Sequence, residues 1–451
     1  MTSTSRKLIC VFMLFATRPT FGQQDDSGSA PEQNRLISFE AISGFGEDSA
    51  QAHVYLHYRI GKGFFVFIKN PESVTADDFI AKGELVVELL NDQSVSVARE
   101  IRPIRLTRTA QAPVPEPAPD ILGAMEFALK PGAYKIVFEV HDLESGRSFL
   151  QRREHLTTIA PGSSTLELSS PLLTRELVDS TGVQQRFFPM NRGANVSYGN
   201  SGGILLQLRA RDSLAPVSAH WKLSGQVEQF GVEHQEFEGT LYRIFAGLPR
   251  LSPQSEEVYY TTKPSPSGWK LLYLPLPLQA LEPGEFKITV EVTSGDVKST
   301  QELSFRVFWP TKPFSLRNWD LAVDALRHIA SEDQMDELTS FSSSRAQQAF
   351  REFWKKKDPD TTTAFNEYMG EYYRRVDEAV RRYSTPNETD GYKTDRGRIF
   401  ILFGSPTRTE RLMKPNSVPE EIWTYDSARK RFVFTDPNKS GNFVLSQADS
   451  L

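Results

Sequence analysis

The sequence predicts a multidomain protein: two all-β modules of the immunoglobulin-like sandwich type, then an α+β domain with helices first and a small antiparallel sheet after. Three observations predict it. Apolar and polar residues alternate through segments such as "HVYLHYRI" (53–60) and "GILLQLRA" (203–210), the period of a half-buried strand. A turn-strand segment occurs twice, as "LKPGAYKIVFEV" (129–140) and "LEPGEFKITVEV" (281–292), 152 residues apart. After Pro313 the apolar spacing becomes helical, and beyond Gly391 it returns to short strands. A chain of 451 residues has room for about three domains.

Residues 1–22 read as a secretory signal. Arg6 and Lys7 precede the apolar run "LICVFMLFA" (8–16), which is shorter than the roughly 20 residues a membrane-spanning helix needs. Small residues around Gly22 predict cleavage before Gln23, and hence export to the periplasm or beyond. Cys10, the single cysteine, lies inside this signal, so the mature chain is expected to use neither disulfides nor thiolate chemistry. Removing the signal takes away three basic side chains and no acidic one, leaving 49 basic against 57 acidic. That balance argues against a nucleic-acid partner, and no later segment is apolar enough to make an integral membrane protein once the signal is gone.

Residues 23–34 are polar and without apolar period, a flexible leader. The first β module follows at 35–160. In 53–60, Val54, Leu56, Tyr58 and Ile60 share one face and His53, Tyr55, His57 and Arg59 the other. "FFVFI" (64–68) and "ELVVELL" (84–90) continue the strand character, and "QAPVPEPAPD" (111–120) is a Pro-rich loop. In the repeated segment, Pro-Gly makes a turn and an alternating strand leaves it, with Tyr134, Ile136, Phe138 and Val140 on one face of the first copy and Phe286, Ile288, Val290 and Val292 on that of the second. A strand with one apolar face needs a second sheet to cover it, hence the sandwich. The second module spans 161–310 and ends with "LSFRVFWP" (303–310).

The α+β domain covers 313–451, helical over 317–385 and sheet over 391–447. Ser331-x-x-Gln334 and Ser344-x-x-Gln347 have capping-box spacing. A helix over 345–357 stops at Asp358-Pro359. The next, near 362–384, carries Phe365, Met369, Tyr372, Val376, Ala379 and Tyr383 as one apolar stripe. "RIFILF", "IWTY", "RFVFTD" and "NFVLS" are the expected strands.

Several segments carry residues that chemistry uses. Thr394-Asp395 reads as a turn, with Gly397 two residues on, launching Ile399–Phe403 as a central strand. Its functional alternative makes Asp395 a general base or ligand contact, with Tyr392 as a stacking surface and Arg396 or Arg398 as anion contacts. Catalysis would then need a second carboxylate, Asp390 or Glu371. "GNSGG" (199–203) resembles a serine-protease nucleophile segment, but Asn200 stands in place of its aspartate and a loop reading is preferred. His53 and His57, four apart on a strand, lie about 13 Å from one another, too far to share a metal ion, and are read as surface residues. "DPNKSG" (436–441) opens like a calcium loop but has Gln447 at its twelfth position, where a bidentate carboxylate is needed; a hairpin turn is preferred. Lys355–Lys357 and Arg374, Arg375, Arg381 and Arg382 look basic, yet residues 311–451 hold 22 basic and 22 acidic side chains, so solvated helix faces are expected. Aromatic residues are plentiful there, Trp354, Tyr372, Tyr373, Tyr392, Trp423 and Tyr425 among them, and a few could floor a groove for peptide or glycan.

Taken in order, "REFWKKKDPD", "FNEYMGEYYRRVDEAVRRY", "GYKTDRGRIFILFGSP", "EIWTYD" and "RFVFTD" resemble the GWxTD domain of exported bacterial proteins, notably those of acidobacteria. The resemblance covers about residues 313–451. Gly391, Thr394 and Asp395 match the name motif, and Tyr392 stands where the family has tryptophan. It implies location and architecture, with β-rich modules ahead of the domain, and no particular reaction. The resulting expectation is an exported, non-catalytic binding or scaffold protein of the bacterial envelope or extracellular space. Its partner would be an envelope or extracellular protein or glycan, it would need no cofactor or metal, and its motif surface would comprise Gly391, Tyr392, Thr394, Asp395, Arg396, Arg398 and Trp423. The alternative is a hydrolase of peptide or glycan using Asp395.

Overall fold

A computed structural model describes residues 36–48, 50–73, 78–109, 120–158, 161–162, 164–178, 185–190, 192–211, 215–228, 234–252, 258–340, 343–385, 388–413 and 417–450. The signal at 1–22, the leader at 23–34 and all but the last residue of the Pro-rich loop lie outside them. The described residues divide into two compact units. One takes those within Met1–Ser38, Arg59–Ile121 and Gly132–Thr158, the other those within Phe39–Tyr58, Leu122–Pro131 and Ile159–Leu451.

The chain is mostly β. Strands β1 (Ile37–Phe45), β2 (Ala52–Gly61) and β6 (Asp120–Leu129) form a three-stranded sheet in the order β1-β2-β6. The first unit's own sheet contains β3 (Ile68–Lys69), β4 (Asp78–Asn91), β5 (Ser96–Thr109), β7 (Gly132–Asp142) and β8 (Ser148–Thr158). Alternation decides its buried face, which takes Leu85, Val87 and Leu89 of β4 and Tyr134, Ile136, Phe138 and Val140 of β7. The strand expected at 64–68 is instead a single 3-10 turn, Lys62–Phe64, followed by the two-residue β3. Phe64 and Phe65 are both buried, which a period of two cannot achieve for neighbours on one covered face.

The second unit adds β9 (Leu166–Leu168), β10 (Leu172–Val178), β11 (Gln185–Pro189), β12 (Asn195–Ser197), β13 (Gly202–Ala210), β14 (Val217–Val227), β15 (His234–Gly239), β16 (Arg243–Ala246), β17 (Leu248–Leu251), β18 (Tyr260–Lys263), β19 (Lys270–Leu276), β20 (Gly284–Ser294) and β21 (Val297–Phe308). They make an eight-stranded sheet, β16-β19-β13-β10-β11-β18-β17 with β9 beside β13, and a five-stranded one, β12-β21-β20-β14-β15. Ile204, Leu206, Leu208, Leu272 and Leu274 from the first meet Trp221, Leu223, Phe286, Ile288, Val290 and Val292 from the second in one core, so this pair of sheets is a β-sandwich. The repeated segment occupies equivalent places. Strands β5-β4-β7-β8 in one unit and β15-β14-β20-β21 in the other have the same antiparallel order, and β7 and β20 each enter from Pro-Gly.

Helices α1 (Trp319–Asp324), α2 (Glu332–Ser340), α3 (Ser343–Lys355), α4 (Glu367–Tyr383) and α5 (Asp395–Phe403) precede an antiparallel sheet of β22 (Arg408–Leu412), β23 (Glu420–Tyr425), β24 (Lys430–Thr435) and β25 (Val444–Ser450). Ser331 and Gln334 exchange the two hydrogen bonds of a capping box, 3.0 and 3.3 Å. Helix α4 starts at Glu367, not 362, because Asn366 caps it by accepting from the Met369 N–H at 2.8 Å. Its stripe of Met369, Tyr372, Val376, Ala379 and Tyr383 is buried. Phe365 falls ahead of the helix and joins Tyr198 and Trp309, with ring centroids 5.3 to 5.5 Å apart, where the helices meet the sandwich. Among the described residues no helix is long and apolar enough to cross a membrane.

The expected central strand at 399–403 is a correction. Those residues are the C-terminal half of α5, and the sheet of this domain begins only at Arg408. Thr394 starts the helix with extended backbone at φ −67°, ψ 156°, and Gly404 ends it at φ +79°, where glycine is the residue without penalty.

Candidate functional site

The segment 390–404 is built as a joint. Asp390 leads into a 3-10 turn, Gly391–Lys393. Thr394 Oγ1 donates to the Gly391 carbonyl at 2.8 Å and accepts the Gly397 N–H at 3.0 Å, so one hydroxyl closes the turn and caps α5. Gly391 is pressed on the end of α4, where a Cβ would meet the Ala379 carbonyl oxygen at 2.3 Å. Tyr392 is buried, and its hydroxyl donates to Asp324 of α1 at 2.5 Å. Burial and that carboxylate push the phenol well above its ordinary range. Lys393 bridges Asp390 (2.8 Å) and Asp324 (3.2 Å). His328 Nε2 lies 2.9 Å from the Tyr392 carbonyl oxygen; burial holds its pKa down.

Asp395 lies in the first turn of α5, where the helix dipole favours its charge. One oxygen accepts the Leu445 N–H of β25 at 2.8 Å, the other the Arg398 guanidinium at 3.3 Å. The two carboxylates considered as catalytic companions are held elsewhere, Asp390 by Lys393 and Glu371 by Arg374 and Arg375 at 2.7 and 2.6 Å. Arg396 is buried between the rings of Tyr383 and Phe443, and faces Glu421 at 3.5 Å. Glu421, also buried, accepts the Trp423 indole N–H at 2.7 Å and pairs with Arg411 at 2.9 Å. The seven motif residues are thus brought together, but around packing contacts. Only Asp395 and Arg398 keep appreciable side-chain exposure, 35% and 42%.

A separate cleft of about 430 Å³ opens where α3 and the loop after it face the sandwich. One face of α3 supplies Gln348, Arg351, Glu352 and Lys355, at i, i+3, i+4 and i+7. Tyr198 and Glu282 form the opposite wall, Asp358, Thr361 and Thr363 a third, and the buried Phe350, Trp354 and Met369 the floor. Tyr198 donates to Glu282 Oε2 at 2.8 Å and also contacts the Ala364 carbonyl. Burial holds the Glu282 carboxyl above the usual range. Of these, Trp354 and Lys355 were visible as candidates in the sequence. Tyr198, Glu282 and Arg351 come from distant segments, and no local spacing links them.

The remaining segments take structural roles. Gly199, in the loop from β12 to β13, has φ +83° and packs against Phe365, and Gly202, which opens β13, has φ +157°. Asp436 is buried and accepts the Ser440 and Gly441 N–H groups at 3.1 and 2.7 Å, forming the hairpin loop between β24 and β25. Among the described residues no three His, Cys, Asp or Glu side chains gather to hold a metal. His57 corrects the surface reading. It is wholly buried, 2.7 Å from the Tyr260 hydroxyl, because β2 is the middle strand of its sheet and Tyr260 of β18 covers that face. Arg374 and Arg375 pair with Glu371, and Arg381 and Arg382 with Glu378, along α4.

Residues 291–449 match the family model described as GWxTD domain, a match that begins inside β20 and ends inside β25. No curated protein matches the chain.

Proposed function

We propose, for this chain that carries a GWxTD domain at residues 291–449, an exported, non-catalytic binding or scaffold role in the bacterial envelope or extracellular space. In this reading the signal at 1–22 directs export, the two β modules are immunoglobulin-like and present the C-terminal domain, and that domain together with the second module engages an envelope or extracellular protein or glycan. One observation carries the non-catalytic half. The polar side chains of the name motif are engaged in the fold: Thr394 caps α5, Asp395 ties α5 to β25, and the hydroxyl of Tyr392 anchors on Asp324. A general base needs a free lone pair aimed at substrate and, in a carboxylate pair, a companion within reach. Here Asp390 and Glu371 are each tied to their own cations.

Pull-down from a native envelope extract tests the reading, with the full chain lacking its signal as bait. Retention of a defined partner, with no turnover of wall glycan or peptide by the bait, is the expected result. Hydrolysis of either polymer, lost in Asp395→Asn while the fold is kept, would overturn it.

A further inference from the structure

We propose that the cleft between α3 and the second sandwich is a saccharide-binding site, taking a short, uncharged, polyhydroxylated ligand. This deepens the binding role above and rests on it. The volume, about 430 Å³, lies within the range of pockets that hold small ligands, roughly 300–1,000 Å³. The chemistry of the walls then selects among ligand classes.

The lining interleaves acceptors with donors. Glu282, Glu352 and Asp358 accept; Arg351, Lys355, Gln348 and Thr361 donate. Three carboxylates against two cations give no field of one sign, which disfavours a phosphate-rich ligand and a polycation alike. The aromatic floor of Phe350 and Trp354 is almost wholly buried, so little apolar surface is offered to a peptide helix or an acyl chain. A hydroxyl both donates and accepts. A ring bearing several is the ligand that satisfies alternating donors and acceptors around it without leaving a buried charge unpaired. Glu282 is the anchor. The Tyr198 hydroxyl holds its Oε2 at 2.8 Å, and the carboxyl lines the cleft opposite α3, where it can accept from a ligand hydroxyl. Across the cleft Gln348 already orients Glu352, at 3.1 Å.

The test uses the full chain without its signal on an array of neutral, acidic and amino saccharides, together with Glu282→Gln and Lys355→Met variants. Lys355 is exposed, so its replacement leaves the fold intact, and thermal melts check Glu282→Gln. Binding to neutral saccharides, weakened about tenfold or more in each variant as expected for one charge-assisted hydrogen bond, is the predicted result. An array that stays blank, binding that both folded variants leave unchanged, or preference for soluble peptides in the same format overturns the saccharide assignment. The envelope pull-down separates the two levels: a retained protein partner with a blank array sinks the cleft assignment alone, and failure of both sinks the binding role as well.

Discussion

Gly397 stands directly against the carbonyl oxygen of Gly391: a Cβ added at Gly397 would lie 2.0 Å from that oxygen. The contact locks the first turn of α5 onto the 3-10 turn before it. Gly391 in turn would drive a Cβ into the Ala379 carbonyl oxygen and the Ser384 nitrogen. The obstacles are backbone atoms, which cannot rotate aside. Gly397→Ala and Gly391→Ala are therefore expected to destabilise the domain by about 2–4 kcal/mol each. Urea denaturation checks this. Melts within about 0.5 kcal/mol of wild type would show that the joint tolerates a methyl group.

Tyr392 anchors the motif through its hydroxyl. Tyr392→Phe keeps the ring in the core and removes the donor to Asp324. Asp324 retains Lys393 at 3.2 Å and a close contact with Arg327, so it is left charged but still paired. The expected loss is about 1–2 kcal/mol, with the helical far-ultraviolet signal unchanged at room temperature. A loss above about 4 kcal/mol would mean that the ring, not the hydroxyl, is displaced.

Arg396 and Glu421 form a buried ion pair flanked by aromatic rings. Arg396→Met leaves Glu421 its closer partner, Arg411 at 2.9 Å, but removes the guanidinium packed between the two rings, so the expected cost is about 1–3 kcal/mol. Glu421→Gln still offers an oxygen to the Trp423 indole and removes the charge. The double variant should be less damaged than the two single effects added together, with a coupling of about 1–3 kcal/mol in a double-mutant cycle. Strict additivity would show that the two side chains do not act as a pair.

How far the sequence reveals this arrangement differs by residue. Period-two alternation gives β7 and β20 with their buried faces, because one side of each strand is covered and the other wet. "RIFILF" misleads for a physical reason. A short run apolar on every side has no period, and a strand between two layers and a helix within a core present the same pattern. Ile399, Phe400 and Ile401 are all buried, so tertiary packing decides. The local signal lay upstream, in Thr394 three residues before Gly397, which is cap spacing as much as turn spacing. His57 is hidden for a related reason: alternation along β2 places it opposite Val54 and Leu56 but cannot say that Tyr260, two hundred residues later, covers that face. The cleft has no linear signature at all, since its walls are joined by contacts between distant segments, such as Phe365 on Tyr198 and Trp309 and the Ala364 N–H on the Gln279 carbonyl.

His57 makes a prediction with a definite sign. It is fully buried, its Nε2 meets Tyr260, and its Nδ1 has no hydrogen-bond partner among the described residues. Burial lowers its pKa from 6.5 to about 3. Between those values the unfolded chain binds a proton that the folded chain refuses. Stability therefore falls as pH drops below about 6.5, by up to about 1.4 kcal/mol per unit, and levels off once pH passes below about 3. Glu282 and Asp377 act in the opposite direction. Burial raises both carboxyls, so each adds stability at low pH that is lost as pH rises through its folded pKa. Comparing wild type with His57→Gln removes these shared terms. The stability difference between the two should grow in favour of the variant from pH 7 to pH 4, whichever is more stable at neutrality. Urea titrations at pH 7, 6, 5 and 4 measure it, and a difference constant across that range would mean that His57 takes up its proton in the folded protein.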